Sequence, residues 1–228
     1  MDKINKYEEL VKSFLRLNGY FVVENFILHD GNANIADSQK KIIPQSTETD
    51  ILAVRFPFQN EHTGQLHVAN YENLILTSEL IDLVIVESKS GNANKPNQTW
   101  KDNSKIENIK YIIRFFGITN EVKIIEEIAN ELIKKYECKW KNYSIRYIII
   151  SETKNMHYSG KGIKYVTIEE VLDFIVKVRG ECWINANMGI ASHHQQWNLF
   201  MKHIFEIANE ENKSVDIKKR NIRKYMEE

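Results

Sequence analysis

At 228 residues, 43% hydrophobic and 27% charged, the chain is long enough for one well-filled globular domain with decoration and too short for two large ones. Lys plus Arg equals Asp plus Glu at 31 each, which excludes a protein that holds polyanions by bulk charge, so any nucleic-acid contact has to come from local patches. Three prolines, nine glycines and two cysteines without metal-ligand spacing exclude a long disordered linker, a disulfide framework and a zinc centre. The start MDKINKYEELVKSF reads as charged and amphipathic rather than as a basic segment followed by an apolar run, and no apolar run approaches the roughly 20 residues of a membrane span. A cytoplasmic protein with no membrane contact is expected.

Leu10, Val11, Phe14, Leu15 and Leu17 recur at helical spacing, and Asn18-Gly19 supplies a stop, so 7–17 is a predicted helix. Strands follow at 20–28, rich in aromatic and β-branched residues, and at 49–56, with a loop between them. A polar insertion spans 57–73. A third strand, 80–88, is apolar almost to its end. Helices are predicted over 100–116 and 121–136, a buried strand over 145–150 and a short one over 163–166. Thr167 and Glu170 form a capping-box start for a helix to about Val178. Residues 1–180 are expected to form one α/β domain. Residues 181–228, with an amphipathic helix over 195–210 and a basic tail, are expected to form a helical extension packed on it.

The chemistry concentrates at the end of the third strand. Alternation places Ile81, Leu83, Ile85, Glu87 and Lys89 on one face. A carboxylate and an ammonium closing an apolar strand are costly to desolvate unless paired, hydrated or metal-bound. Asp50 marks a matching polarity break before Ile51, Leu52, Ala53 and Val54. With the two strands adjacent, it would lie about one interstrand spacing, about 4.8 Å, from Glu87. Two carboxylates with a few waters suit Mg²⁺ or Mn²⁺. Such an ion activates water and screens a scissile phosphate, and Lys89 can orient that water.

Thr49-Asp50, then Glu87-Ser88-Lys89 at the end of an apolar strand, with an acidic helix before and a basic one after, resembles the PD-(D/E)xK nuclease superfamily. The resemblance covers about residues 7–151. It implies a restriction-endonuclease-like core of order α-β-β-β-α-β, a mixed sheet flanked by helices. Asp50, Glu87 and the Ser88 carbonyl would hold the metal, Lys89 would act on the nucleophilic water, and Glu8 or Glu9 of the first helix, Glu8 by preference, would join the site. Thr49 replaces the proline of the pattern. Gln98 can fill the glutamine role of some branches, though no tyrosine stands four positions on.

Lys95, Gln98, Trp100, Lys101 and Lys105, with Lys110 and Arg114, form the candidate nucleic-acid surface, where cations meet phosphates and an exposed Trp100 would stack on a base; the competing reading puts Trp100 in the core. His193, His194 and His203 match no metal-ligand spacing. The expected function is a metal-dependent nuclease, with DNA favoured over RNA, acting alone, as a homodimer or with a partner protein. The alternative is a non-catalytic nucleic-acid or protein-binding module on the same fold.

Overall fold

The computed structural model describes residues 5–29, 45–59, 62–63, 66–67, 70–74, 79–91, 93–100, 106–180 and 198–228. Helix α1 (Lys6–Leu17) starts where the Asn5 side chain accepts the Glu8 N–H at 3.3 Å, with Glu8 and Glu9 at its positive end. It stops at Asn18, and Gly19 then takes φ 83, open only to a residue without Cβ strain. Three long strands follow, β1 (Phe21–His29), β2 (Gln45–Arg55) and β5 (Ile81–Lys89), each antiparallel to the last. The insertion after β2 contributes a two-strand hairpin, β3 (His62–Thr63) and β4 (Leu66–His67).

A short 3₁₀ turn (Gln98–Trp100), α2 (Ile106–Phe115) and α3 (Val122–Lys135) lead back to the sheet. Tyr136 ends α3 in the left-handed conformation (φ 61) and turns the chain directly into β6 (Glu137–Trp140). This edge strand was not expected from the sequence: four residues carry too little periodicity to stand out. Strand β7 (Tyr143–Ser151) runs parallel to β5 and is buried along nearly its whole length. Its other side pairs with β6 over its first half and with β8 (Lys164–Thr167) over its second. The large sheet therefore has the order β1-β2-β5-β7-β6, with β8 also on β7. The protein is α/β, with a mixed open sheet flanked by helices.

After a short α4 (Met156–Ser159), α5 (Ile168–Asp173) opens with the capping box read from the sequence, in which the Glu170 N–H reaches Thr167 Oγ1 at 3.1 Å and the Thr167 N–H reaches Glu170 Oε2 at 2.7 Å. The helix then widens into π geometry over Phe174–Arg179. Two more helices follow, α6 (Leu199–Ala208) and α7 (Val215–Glu227). Each face of the sheet has its own apolar layer. Val84 and Val86 pack with α1, α5, Ile204 of α6 and Ile222 of α7, whereas Leu83 and Ile85 pack with α2 and α3. The alternation of β5 is as the sequence predicts. No helix among the described residues is long and apolar enough to cross a membrane.

Candidate active site

The backbone pairing of β2 with β5 ends at Ile51 opposite Val86. One residue further a side chain takes over from the ladder: Asp50 Oδ2 accepts the Ser88 N–H at 2.7 Å. The described residues bring no hydrogen-bond donor to Asp50 Oδ1. Glu87, only 2% exposed, is held on several sides. Its Oε1 meets the Lys89 ammonium at 3.2 Å, and its Oε2 accepts the Asn97 N–H at 3.1 Å and the Tyr147 hydroxyl. Lys89 in turn donates to Asn97 Oδ1 at 2.7 Å. The recess lined by Glu87, Thr99, Trp100 and Tyr147 is too tight to admit water.

Exclusion of water raises the proton affinity of these carboxyls. Burial pushes Glu87 up to about 7, with the Lys89 charge and the Asn97 N–H pulling the other way and the Asp50 charge adding to the rise. Burial also raises Asp50, against the Ser88 N–H and Lys89. Glu8 is raised too, by burial first, opposed by Lys12 and reinforced by the Asp50, Glu24 and Glu9 charges. Glu8 on α1 therefore stands within electrostatic reach of Asp50. Its neighbour Glu9 is tied to Lys12 and receives a 3.5 Å hydrogen bond from Asn198. Among the described residues no three His, Cys, Asp or Glu side chains are close enough to share one metal ion. Asp50 and Glu87 are the carboxylates that reach the Ser88 N–H and the Lys89 ammonium at this end of β5.

The proposed nucleic-acid surface is less unified. Trp100 is 3% exposed and stacks on Tyr147 with ring centroids 4.2 Å apart, so its ring is a core element and is not presented to a base. This corrects the base-stacking expectation: the aromatic signal came from packing beneath the site. Lys95 is exposed. The Gln98 side chain, Lys101 and Lys105 lie outside the described residues, as do His193, His194 and Cys182. Lys110 is paired with Glu107 and Glu126. In the basic tail, Lys219 and Arg223 are committed to Glu169, Asp173 and Glu152 and do not form an open cationic patch.

Tyr147 and Asn97, which hold Glu87 and Lys89, were not found from the sequence. Tyr147 is fixed by the β5–β7 register, which sets it beside Ile85, one inward-facing step below Glu87. Asn97 lies in a loop whose composition gave only exposure. No family model, curated protein or solved structure matches the chain.

Proposed function

We propose that the chain is a metal-dependent nuclease that hydrolyses phosphodiester bonds, in DNA in preference to RNA, on a restriction-endonuclease-like core. The observation that carries this reading is the meeting of Asp50, Glu87 and Lys89 at one end of β2 and β5, with both carboxyls held partly or wholly out of water and raised in pKa. Further support is the order of the main elements. One helix, three antiparallel strands, a helical crossover and a strand parallel to the third follow in the sequence that the resemblance implies.

The donor set fits a hard divalent cation that keeps part of its hydration shell, since Mg²⁺ is commonly bound by one or two carboxylates plus water. Asp50 Oδ1 and Glu87 Oε1 would be its side-chain ligands. A residue's N–H and C=O point to the same side of a strand, so the Ser88 carbonyl is directed, like its N–H, toward Asp50 and can join them. The ion would lower the pKa of a bound water and screen charge on the phosphate. The chain's own groups do the rest. Asn97 Oδ1 fixes the Lys89 ammonium, which can orient the attacking water or meet the developing negative charge. Tyr147 and the Asn97 N–H hold the inner oxygen of Glu87 and so set the direction of the outer one.

One observation favours the rival, a non-catalytic binding module: both oxygens of Glu87 already have protein donors. Cleavage of a mixed panel of DNA and RNA substrates with Mg²⁺, Mn²⁺ or EDTA separates the two. Cutting that needs the metal and is lost in both Asp50→Ala and Lys89→Ala is expected. No cutting of any substrate with either metal gives the case to the rival.

A further inference from the structure

At the opposite end of β5 from the candidate site, the sheet leaves apolar surface open. Phe21, Phe56 and Phe115 are each about half exposed, and with Val23 they border a groove of about 300 Å³ floored by Leu52 and Leu83. Phe21 and Phe56 meet edge to face at 6.0 Å. Phe115 extends the patch along α2 to Tyr111, also half exposed, through the Phe26 ring that touches both. Scattered single hydrophobics need no explanation, but a contiguous set marks a contact surface.

We propose that this patch is the interface through which two copies of the chain associate. Area is the first argument. Aromatic side chains present about 150–250 Å² each, so the exposed halves of these four with Val23 amount to roughly 400–500 Å². A standard interface takes about 800 Å² per partner and is a little over half apolar, so it needs about that much. Shape is the second. A two-fold contact needs both a projection and a recess on the same patch. The half-exposed Phe21, Phe56 and Phe115 rings supply the projections, and the groove they border supplies the recess. Charge is the third: with 31 residues of each sign, two copies carry no net repulsion.

The contact is face to face. Strand β1 ends the sheet, but its edge carries the charged Glu24 and then Asn25 at φ 51, both features that discourage strand addition. Leu83 and Lys89 are six residues apart on β5, about 20 Å at strand rise, so the pair would leave both candidate sites uncovered. The inference therefore does not depend on the nuclease reading.

Light scattering on the eluting protein, over about 1 to 100 μM where micromolar self-association is resolved, is the test. Wild type is expected to approach twice the chain mass of 26.8 kDa as concentration rises. Phe21→Glu on β1 and Phe115→Glu on α2, both at half-exposed positions and checked for folding by circular dichroism, are expected to stay at 26.8 kDa. A wild type of 26.8 kDa throughout overturns the proposal and leaves the patch to a different occupant. A dimer that survives both substitutions also overturns it, because the interface then lies elsewhere.

Discussion

Strand β5 holds a buried carboxylate near each end, and the two are neutralised in different ways. Near its start, Asp82 faces the Arg146 guanidinium two oxygens to two nitrogens, with Nε 3.0 Å from Oδ1, and takes a further hydrogen bond from the Tyr20 hydroxyl. Arg146 also reaches the Leu74 carbonyl at 2.8 Å, and Arg55 stands opposite Asp82 on β2. Near its end, two carboxylates share one nearby ammonium, and Glu87 is pushed up to about 7. The first cluster carries its own counter-charge and ties β5 and β7 to the turn that leads into β1. The second leaves two carboxylates to one ammonium in a place where water is scarce, an imbalance that protonation of Glu87 or a bound cation would relieve. The same strand thus separates a group that holds the structure from a group that, on the proposed reading, would receive a cation.

The largest effect should come from breaking the first cluster. Asp82→Ala leaves Arg146 buried and unpaired and should cost about 3–5 kcal/mol in urea unfolding. A loss below about 1 kcal/mol would erase the contrast between the two ends.

Glu87→Gln should act in the opposite direction. The folded pKa of about 7 lies above the ordinary value of 4.5, so between these values the folded state binds more protons than the unfolded one. Stability of the metal-free protein therefore falls as pH rises from 4.5 through 7, by up to roughly 3 kcal/mol for this group. The variant should lose that slope, so that its stability relative to wild type is greatest near pH 8. Urea titrations at pH 5, 6, 7 and 8 measure the difference. A slope unchanged in the variant would mean that Glu87 is not the strained group.

Asn97→Ala removes one of the two acceptors of the Lys89 ammonium at the rim of the site. It should cost about 1–2 kcal/mol of stability. If Lys89 must be aimed for catalysis, cleavage should fall roughly tenfold or more at unchanged substrate affinity, the equivalent of about 1.4 kcal/mol in the barrier. Equal cleavage by variant and wild type would remove Lys89 orientation from the account.

The smallest effect belongs to the C-terminal ion pairs. Lys219→Ala removes contacts to Glu169 and Asp173, on partly exposed carboxylates, and should cost no more than about 1 kcal/mol, shrinking with added salt. A larger, salt-independent loss would make α7 a structural clasp comparable to the Asp82 cluster.

What the sequence made legible was local. The run Ile81 to Lys89 announced both its two faces and its charged end, and Thr167 with Glu170 announced a helix start that forms as read. Asp50 was found by its polarity break, and its carboxylate does reach β5, at the Ser88 N–H. Contacts that depend on long-range register were not legible. Nothing near Glu87 in the chain says that Tyr147, sixty residues away, will sit beneath it, or that Trp100 will stack on that tyrosine. Asp82 falls, by strand alternation, on the opposite face from Glu87, and its counter-charge comes from Arg146 across a parallel pairing. Strand β6 exists because the left-handed Tyr136 returns the chain to the edge of β7, a tertiary event with little trace in four residues.

The most direct measurement is a calorimetric titration of Mn²⁺ into the wild-type chain and into Asp50→Asn and Glu87→Gln at pH 8. Wild type is expected to bind the metal, with binding lost or strongly weakened in both variants while they stay folded. Binding undiminished in both variants, or no binding by wild type, would contradict the claim that this end of β5 is built to receive a cation.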